Sequence, residues 1–272
     1  MSILAVAWDI DGCIYPYAHH QAPEGFCFYR LCDEAGAEAA LNLMPSLGRP
    51  EALRLMKESF DRYRDSFTAF LPVAEERGLC PHTARDKIFT DYHALLRELI
   101  KQRAPDFFEG ARATRTAFPL FPRHVRHGTL TNACLEGWGM HVLQEIGIRH
   151  YFDPDLFFDM RRNDFHPKAA NAIPIENFIK AAGLQPHQVA LVEDSVMNTV
   201  HALEIGVQVA ILHHGQPPKN IPAGVRWVCR DAEELRGQMA ADLGWHVEPQ
   251  ALLPRVERGS ISGALPTPIL KA

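Results

Sequence analysis

The chain has 272 residues, 47% of them hydrophobic and 22% charged, with a net charge of −5. That is enough apolar material for one large domain or two small ones with proper cores. The negative balance gives no electrostatic footprint for a nucleic-acid partner, and no apolar run approaches the ~20 residues of a membrane span. No basic stretch followed by an apolar one opens the chain, so a secretory leader is not expected. Six cysteines show no Cys-x-x-Cys pair, which predicts reduced thiols and a cytoplasmic protein. Cys27 and Cys32 could bridge by spacing but are read as free. The fourteen histidines are scattered. His19-His20 and His213-His214 lack the i, i+4 spacing of a helical zinc site.

In chain order, the apolar run Ile3–Trp8 predicts a first β-strand that stops at Asp9-Ile10-Asp11-Gly12. Tyr15-Pro16-Tyr17 breaks regularity, and a helical stretch follows. Glu34–Leu43 is rich in Ala, Glu and Leu; Pro50–Phe70 places Leu53, Met56, Phe60, Tyr63 and Phe67 three and four apart. Ala84–Arg103 repeats that pattern with Ile88, Phe89, Tyr92, Leu95, Leu96 and Leu99, each an amphipathic helix signature. No strand pattern interrupts residues 16–105, which predicts an all-helical insertion.

From about Asp106 the rhythm is strand, helix, strand. Strands are predicted to end near Asn132, Asp159, Glu193 and His213, with a last one at Arg226–Cys229. One connecting helix presents Leu135, Trp138, Val142, Leu143 and Ile146 as its core face. Another carries Val196, Val200, Leu203 and Ile205, with Gly206 as its stop. A last helix is predicted from Asp231 to Leu243. This alternation predicts an α/β fold with parallel strands and right-handed crossovers. Residues 1–15 and 106–243 then form a doubly wound, Rossmann-like core around the 16–105 insertion. The Pro-, Gly- and Ser-rich tail, 244–272, reads as an extended segment.

Four segments carry chemistry. Asp9 and Asp11 stand at the end of the first strand, and in open α/β sheets that end is where ligands bind. The second strand ends in Thr131-Asn132, the loop Asp164–Lys168 supplies an ammonium before a helix, and Val189–Val192 ends in Glu193-Asp194-Ser195. Hydroxyl, amide and ammonium groups suit phosphoryl oxygens, and carboxylates on the first and last segments suit a hard cation such as Mg²⁺.

This set of motifs resembles the haloacid dehalogenase superfamily: Asp-x-Asp, a strand ending in Ser/Thr, a lysine and a terminal acidic pair. The resemblance implies the doubly wound sheet with a cap inserted after the first motif. It further implies a Mg²⁺-dependent phosphomonoester hydrolase working through an aspartyl-phosphate. Asp9 would be the nucleophile and Asp11 the general acid and base. Lys168 would offset charge, while Thr131 and the Asn132 amide would bind phosphoryl oxygens. Mg²⁺ would be held by Asp9, the Asp11 carbonyl and Asp194, with Glu193 orienting a metal-bound water. Asp11 points away from the dehalogenases, which lack an acid there. Cys13 stands where Thr is common, and the spacer after Lys168 departs from the usual Lys-Pro.

Asp9-Ile-Asp-Gly-Cys-Ile-Tyr-Pro resembles the opening of the pyrimidine 5′-nucleotidase branch, and Arg62–Thr68 and Asp91-Tyr92-His93 resemble its cap. The substrate so implied is a nucleoside 5′-monophosphate, with Arg64 and Tyr92 of the cap reading it. Tyr63, Phe67, Phe89 and Tyr92 are candidates to stack on a base, against the plainer reading that the stripe is cap core. The alternatives are a phosphatase or phosphomutase for sugar phosphates or other small metabolites, and a non-catalytic nucleotide-binding protein.

Overall fold

The structure, a computed structural model, describes residues 2–16 and 27–245. His19-His20 and all but the first two residues of the 244–272 tail lie outside the described residues. Six parallel strands make one sheet: β1 (Ala5–Trp8), β2 (Arg126–Leu130), β3 (Phe152–Phe158), β4 (Val189–Glu193), β5 (Gln208–Leu212) and β6 (Val225–Cys229), in the order β3-β2-β1-β4-β5-β6. The sequence expectation of an α/β, doubly wound sheet is met. Strand side chains alternate faces, and both faces are buried, as parallel sheets require. Ala5, Ala7, Leu191, Val209 and Ile211 pack on one side with Ile175 and Phe178. Val6, Trp8, Ala190, Val192 and Leu212 pack on the other. β3 contains Pro154, which its edge position tolerates because no partner needs the missing N–H.

Between β1 and β2 every regular element among the described residues is helical: α1 (Phe28–Leu43), α2 (Arg49–Glu58), α3 (Leu71–Glu76), α4 (Pro81–Arg103) and α5 (Arg112–Ala117), with short tighter or wider turns between them. The helix expected from Glu34 starts six residues earlier, at Phe28, because Phe28 and Leu31 are buried and extend the apolar face. The single helix expected over Pro50–Phe70 does not exist. α2 ends at Glu58, a five-residue π turn follows over Ser59–Tyr63, and Arg64 then adopts a left-handed conformation at φ 59°. The break is held by side chains: Asp65 Oδ1 accepts from the Phe67 and Thr68 amides (3.0 and 2.8 Å), and Ser59 Oγ accepts from the Ala69 amide at 2.9 Å. These local bonds compete with the helical ladder and win.

After the sheet resumes, α6 (Met140–Ile146), α7 (Ile173–Ala182), α8 (Val200–Glu204) and α9 (Ala232–Leu243) follow. The helix expected from Val196 is a 3₁₀ turn at first and α-helical only over α8, stopping at Gly206 with φ 86°. Asp231 caps α9 by accepting from the Glu234 amide. The helical segment and the sheet domain meet at Gly137, where an added Cβ would lie 3.1 Å from His93 Cβ and 3.3 Å from α4 backbone atoms. All six cysteines are free, Cys27 and Cys32 included. No helix among the described residues is long and apolar enough to cross a membrane.

Candidate active site

In this strand order the direction of winding reverses between β1 and β4, and ligands bind at the carboxyl ends of strands at such a switch point. Asp9 directly follows β1, and Glu193-Asp194 end β4 beside it; the Asp9 amide donates to the Val192 carbonyl at 2.9 Å. Gly12, at φ 78°, turns the chain sharply enough that Asp11 and Tyr15 bridge across the loop. Both acids thereby reach one cavity of about 280 Å³. Asp9, Asp11, Thr131, Asn132, Asp194 and Ser195 line it from the sheet side, and Tyr29, Phe60, Arg64, Ser66, Tyr92 and His93 from the helical side.

Lys168 lies beneath this cavity and is 4% exposed. Its three N–H bonds are all used: to Asp9 Oδ1 at 2.9 Å, to the Leu130 carbonyl at 2.9 Å, and to Glu193 Oε1. Burial works against its charge, but the carboxylates of Asp9 and Glu193 overcome that and hold it firmly protonated. Its backbone amide donates to Asn132 Oδ1 at 3.2 Å, tying the lysine loop to the end of β2. The spacer after Lys168 thus leaves the ammonium against Asp9 and Glu193.

Glu193 is fully buried and does not line the cavity. Its oxygens accept from Lys168, from Asn198 Nδ2 at 3.0 Å, and from the Asp194 and Ser195 amides at 3.1 Å. Burial and then Asp9 push it up, to about 7, and Lys168 and the other donors only limit that rise. Glu193 braces Lys168 and the loop after β4. Asp194 is pushed up by burial, then by Glu193 and Asp9. Asp11 is pushed up to about 6, by burial first and Asp9 second.

Four carboxylates thus crowd one buried ammonium that is already saturated. This excess of buried negative charge is what a divalent cation would neutralise. Oxygen donors of Asp9 and Asp194 lie within 4.8 Å of each other and of Cys13 Sγ. The carboxylates fit a hard cation such as Mg²⁺. Burial, and then Asp194, push the Cys13 thiol far up, so it stays a neutral neighbour of that site.

The candidate site residues read from the sequence, Asp9, Asp11, Thr131, Asn132, Lys168, Asp194, Arg64 and Tyr92, are all brought to this one region. Of the four aromatics considered for base stacking, only Tyr92 lines the cavity. Phe67 and Phe89 are buried against each other and Phe165, with centroids 5.4 to 5.9 Å apart, so they are interior packing. Sequence reading missed three contributors. Trp138 belongs by its spacing to a helix core face, yet its indole N–H donates to Asp11 Oδ1 at 2.7 Å. The Tyr15 hydroxyl donates to the same oxygen. His93, whose Nδ1 bonds the Phe89 carbonyl at 2.7 Å, forms part of the wall and is pushed down to about 4 by burial. Only the proximity of Tyr15 to Asp11 in sequence offered any signal for these.

A six-stranded parallel sheet wound in this order, with acids at its two central strand ends, is a doubly wound, Rossmann-like α/β fold. No family model and no curated protein matches the chain in sequence. Solved structures do match in fold. A HAD phosphatase from Thermococcus onnurineus is 20% identical, with 88% of this chain and 98% of that one aligned at a TM-score of 0.53. CbbY from Rhodobacter sphaeroides, solved in complex with phosphate, is 16% identical over 86% and 96% of the two chains, TM-score 0.52. A 2-haloacid dehalogenase from Pseudomonas syringae pv. Tomato DC3000 is 13% identical over 88% and 99%, TM-score 0.53. Phosphatase and dehalogenase structures match equally well, so the fold leaves the reaction to be argued from the site.

Proposed function

We propose that the chain is a Mg²⁺-dependent phosphomonoester hydrolase that works through an aspartyl-phosphate on Asp9. The observation that carries this is the second acid: Asp11 shares the cavity with Asp9 and sits at about 6, between the ranges where a carboxyl only donates or only accepts. An Asp9 oxygen attacks phosphorus, the ester P–O bond breaks, and the departing oxygen takes its proton from Asp11. Water then opens the aspartyl-phosphate, returning its proton to Asp11 and releasing inorganic phosphate. Lys168 offsets the charge of Asp9, and Thr131 with the Asn132 amide holds phosphoryl oxygens. Mg²⁺ bound by Asp9, the Asp11 carbonyl and Asp194 would supply charge neutralisation and orientation for the phosphoryl group.

The substrate proposed is a nucleoside 5′-monophosphate, in its pyrimidine form by the resemblance of the opening motif; the aromatic and cationic wall of Tyr29, Phe60, Tyr92 and Arg64 supports a flat, anionic ligand. Residues 16–105 would act as a cap over the core, closing to exclude water and opening for release. The test is a panel of phosphomonoesters assayed with Mg²⁺, with chelator, and with Asp9→Asn. Activity should vanish in chelator and return with Mg²⁺, and Asp9→Asn should be inert while folded. A tenth of wild-type activity in that variant would remove Asp9 as nucleophile.

A further inference from the structure

Asp11 Oδ1 accepts two hydrogen bonds, from the Trp138 indole at 2.7 Å and from the Tyr15 hydroxyl. An indole N–H can only donate, so Oδ1 is an acceptor in either protonation state of Asp11. Two donors on Oδ1 favour the proton of neutral Asp11 on Oδ2, the oxygen left for the cavity that Asp11 lines. Both donors are fully buried, and neither lines the cavity. They brace each other with ring centroids 6.2 Å apart and 78° between planes. Phe108 packs on both, at 5.3 Å from Tyr15 and 5.8 Å from Trp138.

We infer that Tyr15 and Trp138 are positioning residues that fix the Asp11 carboxyl so that its proton is presented to the leaving group on Oδ2. This rests on the reading of Asp11 as general acid. Without the two donors the carboxyl could rotate and place its proton on the oxygen facing the protein. The loss would then appear only where the leaving group needs a proton.

The experiment compares kcat/KM for a simple alkyl phosphate and for p-nitrophenyl phosphate, whose acidic leaving group departs unprotonated. kcat/KM reports steps up to phosphoenzyme formation, so the later hydrolysis does not blur it. Tyr15→Phe, which keeps the ring, should lose roughly 10- to 100-fold on the alkyl ester, the worth of a hydrogen bond to a charged group. It should stay within about threefold of wild type on p-nitrophenyl phosphate, because no donor to that leaving group is needed. Trp138→Phe should show the same split, with circular dichroism confirming the fold. Asp11→Asn on the same two esters separates the outcomes. If Asp11→Asn shows no dependence on the leaving group, the acid assignment itself fails. If Asp11→Asn shows it while Tyr15→Phe falls equally on both esters, or on neither, the positioning role is overturned and the acid assignment stands.

Discussion

The two walls of the cavity are built on opposite principles. On the sheet side the central pair is locked: Lys168 spends all three N–H bonds, and Glu193 receives four donors. On the helical side Arg64 is an exposed side chain on a left-handed residue at the end of a π turn. A group that handles the same phosphoryl unit in every substrate gains from rigidity, since geometry fixed in advance needs no reorganisation during reaction. A group that reads the variable part of a substrate gains from standing on an irregular break between helices. The site thus divides into a preset chemical floor and an adaptable wall.

Removing the lysine tests that division most severely. Lys168→Met leaves Asp9 and Glu193 buried without their cation, and breaking such a pair costs about 3 to 5 kcal/mol. Urea denaturation should show a loss of that size along with loss of turnover. Arg64→Ala, on the exposed wall, should change stability by no more than about 0.5 kcal/mol. A similar stability loss in both variants would erase the distinction between floor and wall.

Within the wall, Arg64→Ala should lower kcat/KM for a nucleoside monophosphate about tenfold or more, as for a lost charge-assisted bond, and leave p-nitrophenyl phosphate nearly unchanged. Tyr92 is buried although it lines the cavity, so Tyr92→Ala should also destabilise by about 3 kcal/mol. Equal losses on all substrates from both changes would take specificity away from this wall.

A last test concerns the sheet beneath the floor. His127 on β2 is buried, accepts the Trp8 indole N–H at 3.0 Å on Nδ1, and is pushed down to about 3 by burial. Its folded pKa lies below its unfolded value near 6.5, so it is neutral in the fold and takes up a proton only on unfolding. Its contribution is therefore present above pH 6.5 and declines as pH falls towards 3, by about 1.4 kcal/mol per unit. His127→Asn keeps an acceptor for Trp8 but does not titrate. The stability difference between wild type and this variant should shrink with that slope between pH 6.5 and 4.5 in urea titrations. A constant difference would mean that His127 is not buried in the neutral form.

The acids and the threonine of the floor were legible in the sequence because they stand at strand ends, and a parallel sheet brings strand ends together whatever the loops do. Asp9, Thr131 and Asp194 could be read from apolar runs that stop at polar residues, and the doubly wound order then made β1 and β4 neighbours. The wall was less legible. Apolar spacing of three and four over Pro50–Phe70 fits one helix, and nothing in that period marks Arg64 as its break. The break depends on Asp65 and Ser59 capturing amides of residues that follow, which apolar periodicity does not record.

Trp138 shows the limit most clearly. Its spacing with Val142 and Ile146 identified a core face, and the ring is indeed fully buried. Burial follows from periodicity, because a helix repeats its faces. The direction of one N–H does not, and only the approach of the first loop to the helix after β2 brought Asp11 within 2.7 Å of it. The sequence by itself determined which residues leave water and where the strands deliver their acids. The tertiary structure alone decided which polar atoms meet, because hydrogen bonds are directional over tenths of an ångström and hydrophobic burial is not.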